Sequence, residues 1–159
     1  MFQPQAVTMI TSVEEDGSYR CSPFSWLMPL NKGSDFAVMM RKESVTYRNL
    51  KERPRMAVAW MPPDRVVAQM VKKTKDPLDP LVFEMGVPQG FSLPVPVVTI
   101  HAIEAVVLAI QKMENCVPWT HVMVIGRAEK VLFSKSSLPL LHMNGKTFAI
   151  AEEFEVEGY

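Results

Sequence analysis

Ala6-Val7-Thr8-Met9-Ile10-Thr11-Ser12-Val13-Glu14-Glu15-Asp16-Gly17-Ser18-Tyr19-Arg20-Cys21-Ser22 is the stretch on which the fold turns. Residues 6–13 are rich in β-branched side chains, and the acidic run after them closes on Asp16-Gly17. That dipeptide tolerates the positive φ a tight hairpin needs. Residues 18–22 are therefore expected to return antiparallel to 6–13. A chain that opens with a hairpin, not with a strand–helix–strand unit, points to an antiparallel sheet.

Working outward, Pro23 and Pro29 bracket Phe24-Ser25-Trp26-Leu27-Met28, which reads as a shaped loop and not a long strand. Phe36–Met40 reads as a short buried strand. Thr46–Arg53 suits a short helix closed by Pro54, with Ser44 or Thr46 as N-cap. Arg55–Trp60 is a further strand, and Asp64–Lys73 has helical spacing at Val66, Val67 and Met70. Seven of the 13 prolines fall between Pro62 and Pro96. With Leu81, Val82, Phe83, Met85 and Phe91 as apolar anchors, residues 62–96 read as an ordered insertion lying over the sheet.

Ile100–Cys116 is ambiguous. Ile103, Val106, Val107 and Ile110 make one helical face, while the β-branched content fits a strand equally well. His121–Phe133 reads as a strand pair or one bent strand, with Gly126 at a bulge or bend. Asn144-Gly145 is a tight-turn signal. Mostly antiparallel strands, one or two helices and no βαβ alternation favour a small barrel with appended helices.

The chain of 159 residues fits a single domain spanning 1–159. Its 17 basic and 17 acidic side chains cancel, which argues against a nucleic-acid partner held by net positive charge. A hydrophobic fraction of 48% supplies a sizeable core. The most apolar run, Val95–Ile110, is interrupted by Pro96, His101 and Glu104 and is too short for a membrane span. No targeting segment is visible, so a cytoplasmic location is expected. Cys21 and Cys116 allow at most one disulfide and no cysteine-built zinc site.

Familiar catalytic signatures are missing. There is no phosphate loop, no dinucleotide-binding G-x-G-x-x-G after a strand, no H-E-x-x-H and no nucleophile elbow. An enzyme of this sequence would borrow its reactivity from a cofactor. Two polar stretches are candidates for holding one. Cys21-Ser22-Pro23-Phe24-Ser25-Trp26 sets small hydroxyls on a proline-constrained backbone, suited to a flat polar ligand; the plain alternative is a surface loop anchored by Phe24 and Trp26. Arg41–Asn49 places Ser44, Thr46, Asn49 and cations where a strand hands over to a helix, which suits phosphate; the plain alternative is a capped helix with a solvated basic face. His121 is a third candidate, although an isolated histidine is more often structural. Met9, Met39, Met40, Met56 and Met123 read as gap-filling core, and Cys116 as a small buried hydrophobe.

In order along the chain, these pieces resemble the flavin reductase-like proteins of the FMN-binding split-barrel superfamily, including the flavoredoxins. The resemblance runs through residues 6–12, Asp16-Gly17, Ser22–Trp26 and Thr46-Tyr47-Arg48-Asn49-Leu50, which is similar to the family's T-x-x-N segment. It continues through Glu84–Val87, Ile103-Glu104-Ala105 with Cys116, His121–Ala128, and Pro139-Leu140-Leu141 with Gly145. It implies a mainly β, six-stranded antiparallel split β-barrel with flanking helices, and a homodimer holding FMN near the subunit interface.

Ser22, Phe24, Ser25 and Trp26 would then lie beside the isoalloxazine and ribityl chain, and Arg41, Ser44, Thr46 and Asn49 would hold the phosphate. His121 would sit where a nicotinamide or the exposed flavin edge is received. The implied function is an FMN-dependent oxidoreductase passing electrons from NAD(P)H or a redox protein partner to a flavin or small acceptor. FMN is expected over FAD because no second pyrophosphate-binding signal is present. Two departures stand out: Trp119-Thr120 replaces the Gly-Asp that many reductases carry before the histidine, and Ala59-Trp60 stands where asparagine is common. Trp119 is expected to narrow the approach of a nicotinamide. A non-enzymatic flavin carrier and a cofactor-free interaction module are the competing readings.

Overall fold

The computed structural model describes residues 5–30, 34–73, 83–112, 120–133, 138–144 and 147–150, with side chains up to residue 141. In chain order the elements are β1 (Gln5–Ala6), β2 (Thr8–Val13), β3 (Tyr19–Phe24), β4 (Leu27–Pro29), β5 (Asp35–Arg41) and α1 (Val45–Glu52). They continue with β6 (Arg55–Trp60), α2 (Arg65–Lys73), β7 (Met85–Gly86), β8 (Val95–Pro96) and β9 (His101–Lys112). β10 (His121–Phe133), β11 (Leu140–Asn144) and β12 (Thr147–Ile150) complete the described fold. Among the described residues no helix is long and apolar enough to cross a membrane.

The main sheet runs β3-β2-β6-β9-β10-β5-β4, antiparallel throughout. It has six long strands and the three-residue β4 at one edge. The sheet curls until β3 approaches β5, giving the expected split barrel. The opening hairpin forms as its sequence dictates: Thr8 pairs with Phe24 and Val13 with Tyr19, and Gly17 takes the turn at φ 84°. The proline-bracketed stretch is more regular than expected. Phe24 and Leu27–Pro29 are in strands, and only Ser25-Trp26 bridges them.

Alternation along the strands sorts apolar residues into two cores. Ile10, Phe36, Val38, Met40, Met56, Val58, Val122 and Val124 fill the barrel, closed at one end by Leu50 of α1. Met9, Cys21, Ala57, Ala59 and Ala102 face the other way, under Val67 and Val71 of α2 and under Phe83, Leu93 and Val95. Small alanines on that face let the helix and the proline-rich segment lie close. The described part of 62–96 thus covers the sheet as expected and contributes α2 and the β7-β8 pair; Leu81 and Val82 lie outside the described residues.

The ambiguous segment is a strand from His101 to Lys112, while Cys116 lies outside the described residues. β10 is one long strand with a register shift between Ile125 and Gly126. Glycine is required there by packing: a Cβ would lie 2.7 Å from Phe36 Cζ and 2.8 Å from Met56 Cε.

Glu104 explains the glutamate in the I-x-E-A stretch. Its side chain is fully buried on β9 and accepts from the Ser92 N–H, the Ser92 hydroxyl at 2.9 Å and the Leu93 N–H at 3.2 Å. Arg55 at 2.8 Å and Lys130 at 3.1 Å balance its charge. Burial pushes this carboxyl up, but the Ser92, Lys130 and Leu93 hydrogen bonds outweigh it and hold it below the ordinary range. The carboxylate is the clamp that fastens the proline-rich segment to the barrel.

Candidate functional site

A cleft of about 530 Å³ opens at the split, where β3 and β5 come together. From β3 it takes Ser22 and Phe24, on the side opposite the buried Cys21. From β5 it takes Met39 and Arg41, which alternate with the barrel residues Val38 and Met40. The cleft is therefore at the split and not in the barrel interior, which its own side chains fill.

Backbone pairing fixes its walls. The Thr8 hydroxyl donates to the Phe24 carbonyl at 2.9 Å, and the Met39 N–H donates to the Trp26 carbonyl at 3.0 Å. Together they shape the Ser25-Trp26 crossing between the two edges. The β5–β10 register sets His121 directly opposite Arg41. The Lys42 N–H donates to the Thr120 carbonyl at 2.9 Å, continuing that ladder one residue further.

The third wall is the start of α1. Ser44 is its N-cap: its backbone is extended, and its hydroxyl accepts from the Tyr47 N–H at 3.2 Å. The N–H groups of Val45 and Thr46 have no acceptor among the described residues. No acidic residue occupies the first turn, so no carboxylate of the helix itself offsets the positive end of its dipole beside the cleft. Arg41 forms no ion pair with a described residue. This corner is built to receive an anion.

Aromatic rings line the cleft beside this corner. The Trp26 and His121 rings are tilted by 36° with centroids 5.5 Å apart, and Trp26 is 48% exposed. Thr120 Oγ1 lies 2.8 Å from His121 Nδ1. Charge, the hydroxyls of Ser22 and Ser25 and the two rings on one cleft describe a site for a flat ligand with an anionic tail.

Eight of the nine candidate residues line this cleft: Ser22, Phe24, Ser25, Trp26, Arg41, Ser44, Thr46 and His121. Asn49 does not. It is buried, and its amide donates to the Ser12 hydroxyl at 3.0 Å, which fastens α1 to β2. Its role is to hold the helix that presents Ser44 and Thr46.

Arg20, Pro23, Met39 and Val45 also line the cleft and were not among the candidates. Arg20 was legible from the two-residue alternation with Ser22 and Phe24; its guanidinium is held by Glu14 at 2.6 Å. Met39 read as core, but it and Met123, its partner across the sheet, are only half-buried, whereas Met9, Met40 and Met56 are fully buried as expected. Burial pushes the Cys21 thiol up to about 11, with the Thr11 hydroxyl opposing only in part, so this cysteine is inert packing. The described residues hold no metal-binding group. Trp119 and the side chain of His142 lie outside the described residues.

Three solved structures illustrate what this fold is similar to. The NADH:FAD oxidoreductase of Streptomyces globisporus superposes with a TM-score of 0.75 at 14% identity, over 99% of this chain and 86% of that one. Flavoredoxin of Methanosarcina acetivorans gives 0.79 at 14%, over 98% and 89%. The FMN-binding protein of Thermus thermophilus gives 0.79 at 16%, over 98% and 91%. At these identities the likeness concerns the fold. No curated protein sequence matches the chain. The model of the flavin reductase like domain, however, matches residues 2–151, and the chain belongs to that family.

Proposed function

We propose that the cleft binds FMN and that the protein is an FMN-dependent oxidoreductase. The observation that carries this reading is the convergence of the two polar stretches, 22–26 and 41–46, on one cleft that includes a helix start with no acidic residue in its first turn. The Val45 and Thr46 N–H groups, the Ser44 and Thr46 hydroxyls and Arg41 would hold the phosphate. Ser22 and Ser25 would meet the polar atoms of the ribityl chain and ring, and Phe24 and Trp26 the flat apolar surface. Among the described residues one helix start lines the cleft, which favours a mononucleotide over FAD. When bound, the flavin supplies the redox chemistry, accepting electrons from one partner and releasing them to another.

The protein's own part is to bind, orient and restrict access. His121, beside Trp26, would meet the approaching donor or acceptor. NAD(P)H and a redox protein are both chemically suitable donors. Trp26, which lines the cleft, and Met28 and Leu30, which follow it in the chain, are exposed apolar side chains, and this supports a homodimer covering the flavin. Colour is the first test: the purified protein should carry oxidised-flavin absorbance, and extraction should release FMN. Anaerobic mixing with NADH or NADPH then tests the donor, since bleaching identifies a reductase and its absence leaves a protein donor.

A further inference from the structure

The cleft holds a second arginine, and that arginine is fixed in advance. Arg20 lines the cleft together with Arg41, Ser44, Val45 and Thr46. Its Nε donates to Glu14 Oε1 at 2.6 Å, and neither η nitrogen makes a hydrogen bond or ion pair with a described residue. Glu14 is in turn set by the opening hairpin. Its N–H donates to the Ser18 carbonyl at 2.8 Å, and its carbonyl accepts from the Gly17 N–H at 3.1 Å. A guanidinium offers a planar fork of donors. Held through Nε, it keeps both η nitrogens for another anion and loses little further freedom when one binds.

The fold puts this arginine beside the start of α1. Arg20 stands directly opposite Ser12 across the β2–β3 pair, so the two side chains share one face of the sheet. The Ser12 hydroxyl accepts from Asn49 of α1. Val45 and Thr46 lie one turn before Asn49, and their N–H groups have no acceptor among the described residues. Arg41 reaches the same helix start from β5, where its carbonyl accepts from the Ser44 N–H at 3.0 Å. Two arginines from different strands thus flank one helix start. A terminal phosphate carries three oxygens that point apart, so donors converging from three elements suit it better than a planar carboxylate.

We propose that Arg20 is a second phosphate-binding cation of the cleft, its η nitrogens donating to a terminal phosphate group that the α1 start and Arg41 hold from other sides. That this phosphate belongs to a flavin mononucleotide rests on the reading above; the anion site does not. The arrangement gives the opening hairpin a task beyond the fold, because the turn that sets Glu14 also sets Arg20.

The test is nuclear magnetic resonance titration of the full chain with inorganic phosphate at constant ionic strength, paired with fluorescence titrations of FMN and riboflavin. Phosphate should shift the Val45 and Thr46 amides and the Arg20 Nε–Hε signal together, with one dissociation constant. Arg20→Gln, whose fold is checked by its amide spectrum, should weaken phosphate binding about tenfold. It should weaken FMN by a similar factor and leave riboflavin, which lacks the phosphate, unchanged. A hairpin that merely loosened would weaken FMN and riboflavin alike, and that outcome would overturn the proposal. So would a wild type that binds no phosphate, or a variant that binds it equally tightly. Phosphate bound in the expected way by a protein that takes up neither flavin would uphold the role of Arg20 and count against the flavin reading alone.

Discussion

The side-chain amide of Asn49 donates to the hydroxyl of Ser12 at 3.0 Å, joining buried groups 37 residues apart. Through this bond the short helix α1 is fastened to β2, so that its first turn faces the split of the barrel. Asn49→Ala would leave the Ser12 hydroxyl buried without that donor. A loss of about 1–3 kcal/mol is expected, measured by chemical denaturation. FMN affinity should fall with it, because the helix start loosens.

Thr46 and Arg41 should behave differently. The side chains of both line the cleft, and among the described residues neither side chain makes a hydrogen bond or ion pair. Arg41→Ala, at an exposed position, should leave the denaturation midpoint nearly unchanged, and Thr46→Ala, at a buried one, should cost only about 1 kcal/mol. Each should weaken FMN binding by about 1.5–3 kcal/mol, roughly ten- to hundredfold in Kd, the usual cost of losing a hydrogen bond to a charged group. Fluorescence titration of the two variants against Asn49→Ala separates direct contact from support.

Glu104 makes a prediction about acid. Its folded pKa is lowered, so its contribution is complete above the ordinary value of 4.5 and is lost as pH falls through the folded value. Glu104→Gln should cost about 3 kcal/mol at neutral pH, the low end for a broken buried pair because Arg55 and Lys130 reach solvent. The gap between wild type and variant should close as pH drops below 4.5. Hydrogen exchange at the Ser92 and Leu93 amides should quicken in the variant, since those groups lose their carboxylate acceptor.

Gly126→Ala tests the packing of the barrel. The added methyl meets the Phe36 ring at 2.7 Å, and Met56 Cε at 2.8 Å. The methionine tip can turn aside, but the ring is held between strands. A destabilisation of about 1–3 kcal/mol is expected from overpacking, with a lowered Tm and little change in FMN affinity.

These residues also mark what could be read from sequence. The Asp16-Gly17 hairpin and the Gly126 bend were legible because turn and bulge chemistry is local. Residues 100–112 were not, and the bulge supplies the reason. Ala105, Val107 and Ile110 all face the barrel, but the register skips Leu108 opposite Ile125 and Gly126. That extra residue stretches a two-residue alternation to a three-residue step, which imitates a helix. The two polar stretches were visible as candidates, yet only the β5–β10 register and the curl of the sheet bring them to one cleft. Asn49 carried the right chemistry for a phosphate, but its partner, Ser12, lies on a strand that spacing alone does not place beside it.

The central claim is that the cleft at the split holds FMN. Titration of the cofactor-stripped protein with FMN, followed by quenching of flavin fluorescence and by the visible spectrum, tests it most directly. Saturable binding of one FMN per chain, weakened in Thr46→Ala and Arg41→Ala, is the predicted result. A protein that purifies colourless and leaves the FMN spectrum and fluorescence unchanged would contradict it.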